Sequence, residues 1–482
     1  MIAVAHLLGL LLAFFGATYA LPILCSLFTG DGLSLWFLLA AAASSVSGVV
    51  LILLTRSSRR ELKPRDGFLL VTLGWIVTSA LATIPFLMAI PGLTFTQAFF
   101  ETMSGLTSTG STVLVGLDNL PPSLNFWRHS LQWFGGLGII VMALAVLPLL
   151  GVGGMQLYKA ETPGPVKDAK MTPRITGTVK SLWLTYVVIT ALGMIALKLA
   201  GMNWLDAVCQ GFSAIGLGAF SNHDANIAWF ASPQIELTLT VLTLIAALGF
   251  ARHFVALRHL SFEVYARDPE VRAMLLLLTV SVIGIAMLLD INHVYPSFAV
   301  DLEHALFNVV STATTSGMVS QDYTRWPTFA PWWLLFLSSV TSITGSAGGG
   351  IKMFRTLLLT RQAGRELKLL IHPSAVAPVR IGGRAVPERV GLSVLAFIFL
   401  YFMTAAVLIF VLLLSGLDFQ SSLGAIVSTL NNAGSGLGVV GPGHTYQALS
   451  HFQAWVCTLA MLLGRLEIFS VLVLCTPMFW RK

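Results

Sequence analysis

Apolar residues run along this chain in long blocks separated by short polar segments. A helix needs about 20 apolar residues to cross a bilayer. Ten stretches qualify: 3–28, 34–55, 67–90, 128–150, 178–200, 233–256, 272–291, 331–359, 390–414 and 452–478. A helix satisfies its backbone hydrogen bonds internally, as lipid requires. The pattern predicts an all-α integral membrane protein with about ten transmembrane helices. The first block is too long for a signal peptide and lacks a basic start and a small-residue cleavage site, so it reads as the first spanning helix.

Between the blocks lie four weakly apolar segments of about 12 residues, too short to span and each followed by a Gly/Ser/Thr-rich stretch. They read as re-entrant helices, whose irregular ends are tolerated at membrane depth only when buried or lining a water-filled cavity. Aligned, they form a repeat. Ser104, Ser311 and Ser428 stand six residues before Gly110, Gly317 and Gly434, and Ser213 stands six before Ala219. An acid follows three of them, at Asp118, Asp224 and Asp322. The aligned serines are 109, 98 and 117 residues apart, which fits one helix–pore loop–helix unit per repeat. The expected organisation is an N-terminal hairpin over 1–62 and four pore repeats over 63–170, 171–268, 269–380 and 381–482, arranged around one central pore.

Charge sets the orientation. Of 28 Lys and Arg, 24 fall in alternate loops and at the C-terminus. Arg128, Lys198 and Arg325 lie on the opposite side, and Arg465 sits inside a span. The positive-inside rule makes the basic loops and both termini cytoplasmic. The net charge of +7 is thereby a topology signal, and no nucleic-acid partner is implied. Only 10% of residues are charged, against about 25% in soluble proteins. Membrane lipid is the expected solvent. The cysteines (Cys25, Cys209, Cys457, Cys475) have no paired spacing and read as buried small residues.

The four loops have the composition of an ion filter. A desolvated cation needs its hydration shell replaced by oxygens, and backbone carbonyls supply them without the fixed charge that would trap it. Aiming successive carbonyls at one axis needs backbone angles that glycine adopts freely. Ser and Thr hydroxyls add oxygens, and each short helix points its negative end at the pore. The alternative, that these small residues merely permit close helix packing, suits one loop better than four in register. Eleven acids on the outer side (Asp31, Glu101, Asp118, Asp206, Asp224, Glu236, Asp290, Asp301, Glu303, Asp322 and Asp418) suggest a cation-attracting vestibule. For Asp206, Asp301 and Asp418, helix capping is the simpler role.

Two features lie below the loops. Arg465 is a charge inside a span, where charges are costly and usually functional, and it is expected to face the pore or a pore loop. Glu467, two residues on, points to another face of the helix and is no natural partner. Thr344 to Lys352, with Gly345, Gly348, Gly349 and Gly350, should break its helix, as a kink or as a flexible constriction under the filter.

The four-fold loop set, together with Gln132-Trp133-Phe134-Gly135-Gly136-Leu137-Gly138, Ser221-Asn222-His223-Asp224, Asn431-Asn432-Ala433-Gly434-Ser435-Gly436-Leu437-Gly438 and Met461-Leu462-Leu463-Gly464-Arg465-Leu466-Glu467, resembles the Trk/Ktr/HKT cation transporters, most closely the bacterial TrkH type. The resemblance spans nearly the whole chain. It implies K⁺ uptake across the bacterial inner membrane. The filter would comprise Ser108, Thr109, Gly110, Leu217, Gly218, Ala219, Thr315, Ser316, Gly317, Asn432, Ala433 and Gly434, with K⁺ the transported ion. Gly345 to Gly350 and Lys352 would form an intramembrane gating loop, with Arg465 an electrostatic barrier below the filter. The subunit would be a homodimer regulated by a cytosolic, TrkA-like nucleotide-binding partner. This chain shows no phosphate-binding motif of its own.

Two filters depart from the family. The third reads Gly317-Met318-Val319-Ser320 where Gly-Phe-Ser is usual. Gly218-Ala219 stands where Gly-Gly is usual, so either Gly218 takes the special conformation or Ala219 adopts it at a cost. Gly110 leans toward K⁺, since relatives with Ser there tend to accept Na⁺. The competing reading is a Na⁺-permeable or ion-coupled secondary transporter. Those folds usually show inverted repeats, whereas these units are parallel. An enzyme is not expected: the ten His are scattered, with no catalytic constellation.

Overall fold

The computed structural model describes residues 2–56, 64–145 and 175–481, and the chain is almost entirely helical over them. The N-terminal hairpin pairs Ile2–Thr18 and Ala20–Thr29 with Ser34–Leu54. Glycine lets the two arms touch: a Cβ on Gly48 would stand 2.6 Å from the Gly9 carbonyl oxygen. Close backbone approach through small residues is how helices associate in lipid, where apolar side chains gain nothing by leaving the solvent.

Four helix–pore loop–helix repeats follow. In the first, Pro64–Ala82 and Ile84–Ala89 lead to pore helix 1 (Phe95–Leu106), and Pro122–Ala145 returns. The second has Ile175–Leu199, pore helix 2 (Trp204–Gly216) and Pro233–Ala247 continued by Phe250–His259. The third has Pro269–Ile291, pore helix 3 (Phe298–Ala313) and Phe329–Val340, then, past a loop, Met353–Ile371. The fourth has Glu388–Leu414, pore helix 4 (Phe419–Leu430) and His451–Arg465, then Phe469–Leu472.

The ten expected spans are only partly continuous. Among the described residues six helices are long and apolar enough to cross a membrane, and two further candidates are bent pairs. The helix expected over 128–150 begins at Pro122, and 146–150 lie outside the described residues. The sequence predicts one broken helix, and among the described residues two further helix pairs are sharply bent. Pro233–Ala247 and Phe250–His259 meet at 89°, and His451–Arg465 meets Phe469–Cys475 at 108°. The first bend turns on Gly249 at φ +86°. The second turns on Glu467 and Ile468 at φ +55° and +54°. Neither residue is glycine, and each left-handed residue costs about 1–2 kcal/mol. Apolar periodicity runs straight through both bends, so hydropathy alone does not register them.

Candidate selectivity filter and ion pathway

Three of the four pore helices carry a side-chain cap at their N-terminal ends. Thr94 and Gln97 form a capping box on pore helix 1. Asp418 caps pore helix 4 as expected, accepting from Ser421 N at 3.0 Å. Pore helix 2 is capped instead by Asn203, and Asp206 faces Asn222 at 2.7 Å. Pore helix 3 has no side-chain cap, and both Asp301 carboxylate oxygens are buried without a hydrogen-bond partner.

At the C-terminal ends the chain follows nearly one trace four times. The amides of Thr109, Gly218, Ser316 and Ala433 donate to the carbonyls of Ser104, Ser213, Ser311 and Ser428 at 2.9, 2.9, 2.9 and 2.8 Å. The serine repeat read from the sequence is therefore the register of the loops. Ser108, Leu217, Thr315 and Asn432 all take left-handed φ, between 52° and 60°. None is a glycine, so the sequence gives no hint of this shared bend. Gly110, Gly317 and Gly434 follow at φ +81°, +66° and +85°. The fourth equivalent, Ala219, is not left-handed, and neither is Gly218. Both readings of Gly218-Ala219 are thus overturned: an L-side chain avoids the left-handed region. A Cβ on Gly218 would lie 2.4 Å from Gln132 Cδ, so the end of that buried side chain would have to shift.

The irregular segments after the four pore helices, strands 1 to 4 (107–113, 217–221, 314–323 and 431–437), close into a ring. Strand 1 meets strand 4 through Asn432 Nδ2 to Thr109 Oγ1 (2.9 Å) and Ser111 Oγ to the Gly434 carbonyl (2.7 Å). Strand 3 meets strand 4 through Tyr323 Oη and Ser435 Oγ, 2.9 Å apart. Repeats 2 and 3 join where Ile227 N donates to the Val319 carbonyl at 3.0 Å. Repeats 1 and 2 join through Arg128, which donates to the Ser221 carbonyl at 3.0 Å. The order is 1-2-3-4, so strands 2 and 4 face each other across the axis.

Gly110, Ala219, Gly317 and Gly434 all line one outer vestibule of about 350 Å³, with Asp224, His223 and His444 above. Of the eleven outer acids, Asp224 alone lines it. Glu101 is buried behind the filter, 2.8 Å from Arg128 Nε, with both side chains fully shielded. A fully shielded pair contributes to the vestibule's field far less than an exposed acid would. At the rim His223 Nδ1 lies 2.5 Å from Asp118 and Nε2 lies 3.4 Å from Asp206, while its ring stacks on Trp229 at 3.7 Å. Burial opposes the charge on His223, but the bonds to Asp206 and Asp118 outweigh it and raise its pKa above the usual imidazole value. Burial likewise works against ionised Asp118, yet the His223 bond carries its pKa below the usual carboxylate value.

Below the filter, residues 341–352 form an irregular loop between two helices, with Gly345, Gly350 and Lys352 at left-handed φ. Gly349 N donates to Thr315 Oγ1 at 3.1 Å, and a Cβ on Gly349 would stand 2.0 Å from the Asn431 carbonyl oxygen. The loop is thus packed against the inner ends of strands 3 and 4. Arg465 reaches it from the last helix. Its guanidinium donates to the Ala347 carbonyl (2.6 Å), the Gly135 carbonyl (2.8 Å) and Ser108 Oγ (3.2 Å). Arg252 and Glu270 hold Thr344 at 2.8 and 3.0 Å, and Glu467 takes Lys352 and Arg355 at 2.8 and 2.6 Å. Sequence reasoning missed these clamps, because no local spacing brings Arg252 or Glu467 to the loop.

Four re-entrant strands closing one oxygen-lined ring, entered from a vestibule and backed by an internal loop, define a multi-pass membrane protein of the pore-loop cation-transport class. The family model TrkH, described as cation transport protein, matches residues 36–482. The Trk system potassium uptake protein TrkH of Escherichia coli strain K12 is 44% identical over 481 residues, covering 100% of this chain and 99% of that protein. The TrkG protein of the same strain is 35% identical over 486 residues, covering 99% and 98%. The crystal structure of the potassium transporter TrkH from Vibrio parahaemolyticus superposes with a TM-score of 0.92 at 40% identity, covering 100% and 99%. The chain belongs to the TrkH family.

Proposed function

We propose that this chain is the K⁺-conducting subunit of a Trk-type uptake system and not an enzyme. The four-fold repetition of one hydrogen-bond register, with left-handed glycines in three strands around a single vestibule, carries this reading. Relatives named as Trk system potassium uptake proteins support it. K⁺ is the cargo. It sheds water against the carbonyls and hydroxyls of Ser108 to Gly110, Leu217 to Ala219, Thr315 to Gly317 and Asn432 to Gly434. The loop holding Gly345, Gly348, Gly349, Gly350 and Lys352 is the gate, and Arg465 is a positive barrier beneath the ring.

The protein sits in the bacterial inner membrane with both termini cytoplasmic, in keeping with the charge bias of its loops. A Trk system has several components, and here the partner is a cytosolic, TrkA-like nucleotide-binding subunit docking on the basic cytoplasmic face. The transporter is a homodimer with one pore per protomer, and nucleotide binding belongs to the partner. The test is uptake of radiolabelled K⁺ into proteoliposomes holding the chain with its partner. K⁺ flux that excess Na⁺ leaves unchanged is expected. Equal competition by Na⁺ would point to the Na⁺-permeable alternative, and absent flux would overturn the reading.

A further inference from the structure

Ala219 is the position where the four-fold pattern fails, and its methyl group lies at the centre of the ring. A Cβ built on Gly110, Gly317 or Gly434 would fall 2.6, 3.0 or 2.4 Å from Ala219 Cβ. At Gly434 the Ala219 methyl is the nearest atom to that position, while at Gly110 and Gly317 it lies just beyond Ala219 N (2.2 Å) and the Ala433 carbonyl oxygen (1.9 Å). Strands 1 and 3 flank strand 2, so contact with them alone would place the methyl in an ordinary lateral interface. Strand 4 faces strand 2 across the axis, and its glycine is the nearest of the three. A methyl that meets both flanking glycines and the opposite one projects into the lumen.

The backbone gives the reason. The other strands place a left-handed glycine here, and alanine in that conformation would cost about 1–2 kcal/mol. Ala219 keeps an ordinary φ, and its carbonyl accepts from Asn226 Nδ2 at 3.2 Å. The methyl brings no oxygen, so it cannot stand in for water around a cation. It contributes only volume, on the floor of the vestibule.

We propose that Ala219 is a specificity-determining residue: its methyl narrows the filter at the glycine ring, so that alkali cations larger than K⁺ are rejected by size. This rests on the K⁺-uptake reading. An apolar group fixed in a ring of packed glycines cannot be coordinated around, and a larger ion meets it first.

The experiment compares K⁺, Rb⁺ and Cs⁺ uptake by the full chain and by Ala219→Gly in proteoliposomes with the partner present. One methyl in a tight site typically changes discrimination about tenfold, so the Cs⁺:K⁺ uptake ratio is expected to rise about tenfold in A219G. An unchanged ratio would overturn the proposal. A second variant reads the position without flux. Ala219→Cys should be labelled by an externally added, membrane-impermeant thiosulfonate, over the wild-type background set by the native cysteines. A folded but unlabelled Ala219→Cys protein would place the side chain outside the lumen and also overturn it. Absent K⁺ uptake by the wild type would instead strike the transport reading, and the labelling result would still decide where the methyl stands.

Discussion

Glu467 Oε1 lies 2.8 Å from Lys352 Nζ, so the bend in the last helix is tied to the end of the glycine loop in the third repeat. Arg355 Nη2 reaches the other carboxylate oxygen at 2.6 Å, and its guanidinium covers the Phe397 ring at 4.0 Å. The two helix breaks are therefore parts of one joint.

Glu467→Gln should loosen that joint. The two partners of Glu467, Lys352 and Arg355, are largely shielded, so the stability loss is expected to exceed the roughly 1 kcal/mol typical of an exposed pair. The informative readout is gating: flux without the activating partner is expected to increase. Basal flux equal to wild type would return the pair to a purely structural role.

Arg465→Ala removes a positive charge from beneath the ring and three donated hydrogen bonds. K⁺ flux should rise about tenfold, corresponding to a barrier lowered by about 1.4 kcal/mol. Initial uptake rates at matched protein density measure this. A rate that falls or stays level would refute the barrier role.

Serine at Gly110, Gly317 or Gly434 should abolish K⁺-selective flux. Each Cβ would meet atoms of another strand, at 2.2 Å from Ala219 N, 1.9 Å from the Ala433 carbonyl oxygen and 2.4 Å from Ala219 Cβ respectively. Left-handed φ adds about 1–2 kcal/mol at each site. The variants should still elute as folded protein. Normal Na⁺ exclusion and K⁺ rate in all three would discard the filter assignment.

Glu101→Gln should be the most destabilising of these changes. It leaves Arg128 as an uncompensated buried charge, and breaking such a pair costs about 3–5 kcal/mol. A large drop in the detergent-solubilised Tm is expected, and a Tm within a degree of wild type would contradict it.

His223 makes stability at the outer mouth depend on pH. Its folded pKa is raised, so its contribution is complete below the ordinary imidazole pKa of about 6.5 and fades as pH rises through the higher folded value. The facing groups Asp118 and Asp206 are carboxylates, as is the neighbouring Asp224. The Tm gap between wild type and His223→Asn should be widest in mild acid and close as pH rises. A gap that widens with pH would reverse the sign and exclude the charged His223 pairing.

Much of the architecture was legible in advance, because lipid imposes few choices on a chain. Long apolar blocks had to be largely helical, since a helix satisfies its own backbone in lipid. The serine spacing identified the loop register because each serine carbonyl receives the same amide bond. Several assignments failed where a residue's role depends on something distant. Glu101 has the sequence position of a mouth charge, but in the fold Arg128, 27 positions away, pairs with it. Asp206 read as a cap, although Asn203 performs that task and Asp206 faces Asn222.

What the sequence determined by itself is the helical, membrane-spanning class and the four-fold unit, since these follow from apolar periodicity and the repeated serine spacing, both local properties. The tertiary structure alone decided which helices bend, which charges pair across repeats and where the Ala219 methyl points. Those outcomes depend on four strands closing on one another, and the contact between strand 2 and strand 4 exists only once the ring is complete.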